Sequence, residues 1–277
     1  MKVVFLGTSS DAGKTTVTAM YCRYLSKKGI SVAPFKASNL SSTSFSIEGK
    51  GEIGIGQAFQ AKVSGIEPSC EMNPILLRPL GNGVIQLIVN GKVKENISEK
   101  NPMDIKAVKK EAYEAFDRLS KKYDAVVCEG SGSPAELNLF ETDIANTGLM
   151  RERNVPAILI GDIERGGVFA ALYGTWLLVP KDVRPLLKGF IINRFRGDPA
   201  ILESAIKKIE ELTGMKFIGT IPHEELKFPT EDSLSEAAGN AEGETMKDVF
   251  IDNIDTLLKR AQEFGLDLKK IEDISSS

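Results

Sequence analysis

A loop of small and polar residues near the start of the chain has the composition of a phosphate-binding site. It reads Gly7-Thr8-Ser9-Ser10-Asp11-Ala12-Gly13-Lys14-Thr15. An apolar segment precedes it and a helical pattern follows it, so its backbone amides and the helix start would point at an anion. We expect the Lys14 ammonium to reach the terminal phosphates of ATP and the Thr15 hydroxyl to hold Mg²⁺. The loop departs from the common pattern, because Thr8 stands where the first glycine usually lies.

Three charged residues follow predicted strands: Lys36, Glu129 and Asp162. Phosphoryl transfer requires carboxylates for the metal ion and cations for the developing charge. Open parallel sheets bind their ligands beyond the carboxyl ends of the strands. A charged residue at a strand end is also common on an ordinary solvated surface. Together with the loop, however, these three residues predict one crevice.

Three further polar residues are notable, and two of them have two interpretations. Glu52 begins a predicted helix, where an acid is favourable for the helix dipole alone. Asn193 follows a predicted strand and is either an adenine contact or a turn residue. His223, the only histidine, follows Pro222 in a predicted turn, and we expect it to have a surface role.

The composition is that of an ordinary globular protein. The 277 residues are 42% apolar and 26% charged, and the formal net charge is −3. Such a balance argues against general nucleic-acid binding, which needs a basic face. Cys22, Cys70 and Cys128 form no CxxC pair, which argues against a zinc site or a disulfide framework. The chain opens on a predicted strand and has no apolar run of membrane-spanning length, so we expect a cytoplasmic protein without a membrane partner.

The segments that position these residues alternate between short apolar strands and amphipathic helices. Strands are predicted at residues 2–6, 31–35, 85–89, 125–127, 157–160, 189–192 and 217–221, and helices at 14–28, 53–64, 104–122 and 246–264. An Asn90-Gly91 turn follows the third strand. Strands that are apolar on both sides suit a parallel sheet covered by helices on both faces. The order predicts an α/β fold with a doubly wound, mostly parallel sheet.

The last part of the sequence changes character. Residues 231–244 are acidic and rich in small residues, which predicts a linker. We therefore expect a P-loop domain over residues 1–235, and a linker with a terminal helix over 236–277 that packs on the same domain.

The chain resembles the cobyric acid synthase family, in the dethiobiotin-synthetase-like group of P-loop proteins. The matching blocks run in family order over about residues 1–235 and are far more specific than the loop alone. They are Gly7-Thr8-Ser9-Ser10-Asp11-Ala12-Gly13-Lys14, Ala33-Pro34-Phe35-Lys36, Gly51-Glu52-Ile53-Gly54, Met72-Asn73-Pro74, Glu129-Gly130-Ser131-Gly132-Ser133-Pro134-Ala135-Glu136-Leu137-Asn138-Leu139, Asp143-Ile144-Ala145-Asn146, Asp162-Ile163-Glu164-Arg165-Gly166-Gly167-Val168-Phe169-Ala170 and Ile191-Ile192-Asn193-Arg194-Phe195-Arg196-Gly197-Asp198.

The resemblance implies an ATP-dependent ligase of cobalamin biosynthesis. Such enzymes phosphorylate peripheral carboxylates of a corrinoid, adenosylcobyrinic acid a,c-diamide, and let ammonia displace the phosphate to leave amides. It also implies roles for residues. The triphosphate would be bound by Thr8, Ser9, Ser10, Asp11, Ala12, Gly13, Lys14, Thr15 and Thr16. Together with the strand-end position of Asp162, this resemblance makes Lys14, Lys36 and Asp162 the expected catalytic residues. Mg²⁺ would be held by Thr15, Glu52 and Glu129, and adenine would contact Asn193.

Two departures from the family pattern leave alternatives open. Family members continue into a glutamine amidotransferase domain, which we do not expect in this sequence, so ammonia would come free or from a separate glutaminase subunit. The stretch Ala37-Ser38-Asn39-Leu40-Ser41-Ser42 replaces the usual Pro-Gln-Asn-Met, which leaves another tetrapyrrole or polycarboxylate open as the acceptor. We also expect a homodimer.

A nucleotide-dependent switch without amidation chemistry is the other alternative. Ser9 argues against it, because switch ATPases of the partitioning type carry a lysine at that place.

Overall fold

The structure is a computed structural model that describes residues 1–224 and 243–277, with side chains described for 1–224 and 250–277. Its helices are α1 (Lys14–Lys27), α2 (Ile55–Val63), α3 (Ile105–Lys122), α4 (Thr147–Arg153), α5 (Val168–Leu178), α6 (Glu203–Thr213), α7 (Gly243–Glu263) and α8 (Leu268–Ser275). Most of the predicted linker, residues 231–242, lies outside the described residues.

A parallel sheet of six strands forms the centre of the fold. In spatial order the strands are β12 (Lys216–Pro222), β11 (Leu187–Phe195), β10 (Ala157–Asp162), β1 (Lys2–Gly7), β9 (Ala125–Glu129) and β2 (Val32–Phe35). Every neighbouring pair is parallel. The predicted α/β fold with a mostly parallel sheet is therefore confirmed.

The two faces of this sheet bury separate apolar cores, as a doubly wound sheet requires. Along β1, Val4 and Leu6 face a core shared with α3, α4, α5 and α6. Val3 and Phe5 face the opposite core, which includes residues of α1, α7 and α8. This alternation follows from the period of two in a strand.

A smaller sheet follows the second strand of the chain and was only partly predicted. It consists of β3 (Ser38–Leu40), β6 (Ile75–Gly81), β7 (Val84–Val89) and β8 (Lys92–Ile97). The predicted Asn90-Gly91 turn joins β7 and β8, and both of its residues have positive φ. The same dipeptide signal, Asn82-Gly83, joins β6 and β7. Both turns have the left-handed geometry of two-residue hairpins.

The prediction of a helix over residues 53–64 is wrong at its start. Gly51–Ile53 forms strand β5, which pairs with β4 (Phe45–Ile47), so Glu52 lies in a hairpin and not at a helix N-terminus. The helix starts at Ile55 because Gly54 has extended backbone angles, and its amide donates a 2.9 Å hydrogen bond to Oδ1 of Asn73.

The C-terminal helix α7 packs against the first helix of the chain. Ile254, Leu257, Leu258 and Ala261 are buried, and Arg23 of α1 forms two 2.9 Å hydrogen bonds with Asp255. The short helix α8 was not predicted. Among the described residues, no helix combines the length and the apolar character needed to cross a membrane.

Candidate nucleotide and phosphoryl-transfer site

The predicted phosphate loop joins the end of β1 to the start of α1. The Thr8 amide donates a 2.9 Å hydrogen bond to the carbonyl of Ile160 on the neighbouring strand β10. Gly13 has a φ of 98°, a conformation that favours glycine, and it precedes the first residue of the helix. The unpaired amides of the first helical turn therefore begin at the loop, where an anion is stabilised.

Gly7 accounts for the unusual glycine position in this loop. A Cβ atom at residue 7 would lie 2.7 Å from the carbonyl oxygen of Ser9 and 2.9 Å from Nζ of Lys14. Lys14 folds back over the loop, and its ammonium donates a 2.9 Å hydrogen bond to that same Ser9 carbonyl. Gly7, which lies one place before the usual first glycine of such loops, thus leaves room for the Lys14 side chain. Thr8 occupies the position where that glycine usually lies.

A buried cluster of polar side chains surrounds Glu129 at the end of β9. Its Oε1 accepts hydrogen bonds from Thr15 Oγ1 at 2.8 Å and from Lys36 Nζ at 2.9 Å. Its Oε2 accepts from Gln60 Nε2 at 2.7 Å and from Gln57 Nε2 at 3.2 Å. The structure thus brings together the predicted Thr15, Lys36 and Glu129.

Sheet topology explains why these residues meet. Strand β9 lies between β1 and β2, and the register pairs Phe5 with Glu129 and Phe35 with Cys128. Lys36 follows Phe35 directly, so its side chain emerges next to Glu129 at the carboxyl edge of the sheet. Glu129 is the last residue of its strand and does not follow it, because the strand runs two residues beyond the predicted end.

The environment of Glu129 keeps its carboxylate ionised. Burial acts to raise the pKa of Glu129, but the Lys36 ammonium and the hydrogen bonds from Gln60, Lys36 and Thr15 outweigh it. The pKa therefore lies below its ordinary value.

Gln57 and Gln60 were missed by the sequence analysis. They are three residues apart on α2, so they share one face of the helix, and both are fully buried. Two amide side chains on one face of a mostly apolar helix are a signal that the sequence does carry. The Oε1 atom of Gln57 is buried and has no hydrogen-bond partner among the described residues.

Asn193 and Asp162 lie on the other side of β1. Both were predicted to follow their strands, but Asn193 lies within β11 and Asp162 is the last residue of β10, because each strand runs beyond its predicted end. Asn193 Nδ2 donates a 2.9 Å hydrogen bond to the carbonyl of Ala12, so this side chain contacts the phosphate loop directly. Asp162 accepts hydrogen bonds from Arg194 at 2.7 Å and from the Glu164 amide at 2.9 Å. Arg196 and His223 both contact Glu164 at the same edge.

Glu52 lies apart from the Glu129 cluster. Its carboxylate contacts the Arg78 guanidinium and the Ser44 hydroxyl. Glu52 does not line the cavity described below, and the prediction that it is a magnesium ligand stays a prediction.

One cavity of about 1390 Å³ unites the loop and the strand ends. Of the predicted site residues within the described part of the chain, those that line it are Ser10, Asp11, Gly13, Lys14, Thr15, Thr16, Lys36, Glu129 and Asn193. Drug-sized ligand pockets span roughly 300–1,000 Å³. The cavity is therefore larger than one nucleotide requires.

The donor set fits Mg²⁺. This ion prefers six oxygen ligands at roughly 2.0–2.1 Å and is commonly held by one or two carboxylates with substrate phosphates and water, and neighbouring ligands in an octahedron are then about 2.9 Å apart. The oxygens of Thr15 and Glu129 are 2.8 Å apart. In the described part of the chain, no group of three or more His, Cys, Asp or Glu side chains forms a metal cage.

Comparison of the sequence with known proteins shows a family match and similar curated proteins. Residues 3–233 match the family model for the CobQ/CobB/MinD/ParA nucleotide binding domain. The chain is 46% identical over 239 residues to a probable cobyric acid synthase of Archaeoglobus fulgidus, covering 86% of this chain and 52% of that protein. It is 48% identical over 242 residues to the probable cobyric acid synthase of Methanosarcina acetivorans, covering 87% and 49%.

The chain spans about half the length of these curated relatives. The resemblance to cobyric acid synthases is confirmed. Because the family model covers most of the sequence and the phosphate loop has the geometry described above, this chain belongs to the CobQ/CobB/MinD/ParA nucleotide-binding domain family.

Proposed function

We propose that this chain is an ATP-dependent ligase of cobalamin biosynthesis that converts peripheral carboxylates of a corrinoid into amides through acyl phosphates. The observation that carries the proposal is the buried Lys36–Glu129 pair beside the phosphate loop, because phosphoryl transfer requires a cation for the developing charge and a carboxylate for the metal ion. Similarity to curated cobyric acid synthases supports the corrinoid acceptor.

In the first step an acceptor carboxylate oxygen attacks the γ-phosphorus of ATP. The bond from that phosphorus to the oxygen bridging to the β-phosphorus breaks, and ADP leaves. Negative charge on the transferring group is stabilised by cations that are already in position. Lys14 and Lys36 are the residues proposed for this task, and both line the cavity.

In the second step ammonia attacks the acyl carbon. The carbon–oxygen bond to the phosphate breaks, inorganic phosphate leaves, and the nitrogen loses a proton to water. Activation is needed because a carboxylate is a poor electrophile, whereas an acyl phosphate has a good leaving group. The ammonia is proposed to come from solution or from a separate glutaminase subunit.

Mg²⁺, when bound, would supply positive charge that neutralises the nucleotide phosphates. Thr15 and Glu129 are proposed to hold it, with Glu52 as a third candidate. Residues 8–16 are proposed to bind the triphosphate. Asn193 donates to Ala12 through Nδ2, which leaves its Oδ1 as the acceptor proposed for the adenine amino group.

The role of Asp162 is proposed to be indirect. Through its hydrogen bonds it fixes Arg194, which lines the cavity and is positioned to meet an anionic substrate.

The proposal extends to the organisation of the chain. Residues 1–235 would form the synthetase domain, and residues 236–277 a linker with a helix packed on it. The Arg23–Asp255 ion pair and the buried residues of α7 support this arrangement. A homodimeric state and a cytoplasmic location stay predictions.

The test is an assay for ADP and amide with ATP, Mg²⁺, ammonium and adenosylcobyrinic acid a,c-diamide. ADP release that requires both the corrinoid and ammonium supports the ligase. Nucleotide-dependent dimerisation without turnover would establish the switch instead. Turnover that occurs only with a different polycarboxylate would mean that the ligase reaction is correct and that the acceptor is not a corrinoid.

A further inference from the structure

The cavity beside the phosphate loop has an apolar wall that nucleotide binding does not explain. The wall is one face of the small sheet. Register pairs Leu40 with Leu77, Pro79 with Ile85, and Ile85 with Ile97. All five of these residues line the cavity. Residues directly opposite each other on neighbouring strands point to the same side, so the wall is continuous across all four strands.

On the opposite face of the same strands, the positions next to this wall are polar, whereas the Leu76–Ile88 pair further along that face is buried. Arg78 pairs with Gln86, and Gln86 pairs with Asn96. The Arg78 guanidinium donates a 2.9 Å hydrogen bond to Gln86 and also contacts Glu52. An ordinary two-layered arrangement buries the apolar face and exposes the polar one. Here the apolar face borders a large cavity, and Leu40 is 56% exposed.

Other apolar side chains border the same space. Met103, Leu139 and Phe140 line the cavity, and Leu139 is 47% exposed. Large apolar side chains that stay exposed inside a concave site are typical of ligand binding. Lys36, Arg165 and Arg194 line the cavity as well, so a ligand on this wall would have cations within the same space.

We infer that this wall, formed by Leu40, Leu77, Pro79, Ile85 and Ile97 and called here the acceptor wall, binds the flat apolar face of the macrocyclic carboxylate acceptor. The inference rests on the proposed function. A corrinoid combines a broad apolar ring with carboxylates at its edge. With the ring against the acceptor wall, an edge carboxylate enters the polar part of the cavity, where Lys36 and Lys14 contact the reacting groups.

The test is equilibrium dialysis of the full chain with adenosylcobyrinic acid a,c-diamide, read by the absorbance of the corrin. The variants are Leu40→Ser and Leu139→Ser. Both residues are exposed enough that the fold should tolerate the change. Loss of one leucine contact should raise the corrinoid Kd about tenfold. Binding of a fluorescent ATP analogue should be unchanged.

The chain offers a matched control for each variant. Val93 is the control for Leu40, because it lies in the same small sheet and is also 56% exposed. Leu137 is the control for Leu139, because it lies two residues away and is 59% exposed. Neither residue lines the cavity. Val93→Ser and Leu137→Ser should bind the corrinoid as the unaltered chain does.

The outcomes separate this inference from the proposed function. Corrinoid binding that is equally strong in all four variants overturns the acceptor wall and leaves the ligase activity standing. If Leu40→Ser weakens binding of the ATP analogue as much as it weakens binding of the corrinoid, the wall belongs to the nucleotide site and the inference is overturned. Corrinoid binding that depends on the wall, without any amide product, supports the inference and contradicts the ligase. Absence of corrinoid binding by the unaltered chain overturns the wall as a corrinoid site, while amide formation on another acceptor would preserve the chemistry.

Discussion

Lys36 Nζ and Glu129 Oε1 form a 2.9 Å ion pair in which the side chains are only 6% and 1% exposed. A buried charge lowers the stability of a folded protein unless it is paired and hydrogen-bonded. Substitution of either partner should therefore change both the free energy of unfolding and the ATP turnover, and both can be measured.

Removal of Lys36 should destabilise the fold as well as abolish activity. Lys36→Met leaves the Glu129 carboxylate buried without its cation, which should cost about 3–5 kcal/mol in the free energy of unfolding. Urea unfolding followed by circular dichroism measures this loss.

The double variant Lys36→Met/Glu129→Gln provides the control. With the charge removed from both partners, stability should return most of the way to that of the unaltered protein, while ATP turnover stays absent. A double variant as unstable as Lys36→Met alone would contradict the ion-pair account, since packing would then explain the loss.

Lys14→Ala should reduce ATP turnover by at least about a hundredfold and leave the fold intact, because the lysine supplies charge to the phosphates and donates a hydrogen bond to the loop carbonyl of Ser9. Steady-state ADP release is the measurement, with thermal unfolding as the check on folding. Lys110→Ala, an exposed change on α3, is the matched control. Normal turnover in a folded Lys14→Ala protein would disprove the loop assignment.

Glu129→Gln should raise the Mg²⁺ concentration for half-maximal turnover by about tenfold or more, since a neutral amide is a weaker magnesium ligand than a carboxylate. Magnesium titration of turnover gives this value. Glu52→Gln in the same titration decides between its two interpretations. If Glu52 is a metal ligand, Glu52→Gln should raise the Mg²⁺ concentration for half-maximal turnover as much as Glu129→Gln does. An unchanged Mg²⁺ requirement would mean that Glu52 serves only its pair with Arg78.

The depressed pKa of Glu129 predicts a pH dependence of stability. Its folded-state pKa lies below the unfolded value of about 4.3. The stabilisation from its ionised form is therefore complete above the unfolded pKa and is lost as the pH falls through the folded pKa. Unfolding free energies of the unaltered chain and Glu129→Gln, measured from neutral to acid pH, should show a difference that shrinks on acidification. A constant difference would mean that Glu129 carries no such linkage.

Local pattern was sufficient for the parts of the site that sit on the central sheet. Lys36 and Glu129 were found because parallel strands place their carboxyl ends at one edge, whatever the rest of the chain does. Glu52 was misplaced for the opposite reason. Its position depends on the β4–β5 hairpin and on the Asn73 side chain that holds Gly54, both of which are tertiary contacts.

The partners of Glu129 on α2 illustrate the same limit. Gln57 and Gln60 share a helix face, which the sequence shows, but only the packing of α2 brings that face to Glu129. The acceptor wall also depends on the pairing of β3 with β6. These strands are separated by more than thirty residues in sequence, and no short-range signal specifies that pairing.

The nitrogen donor is the last prediction. Glutamine hydrolysis requires an activated thiolate with a base in hydrogen-bond reach. Burial raises the pKa of Cys22 to about 12 and raises that of Cys128 further, and burial also raises the pKa of Cys70. The one histidine, His223, lies 3.2 Å from Glu164. Thiolates are thus disfavoured at all three cysteines.

The purified chain should therefore form amide from ATP, corrinoid and ammonium, and form none when glutamine is the only nitrogen source. Addition of a separate glutaminase should restore the use of glutamine, because ammonia released in solution can reach the acyl phosphate. The assay follows ADP and amide with each nitrogen source in turn. A Cys70→Ser variant is the control, since Cys70 is the least buried of the three thiols, and its turnover with ammonium should be unchanged. Amide formation from glutamine by the pure chain at the rate seen with ammonium would contradict this account, and its loss in Cys70→Ser would identify the nucleophile.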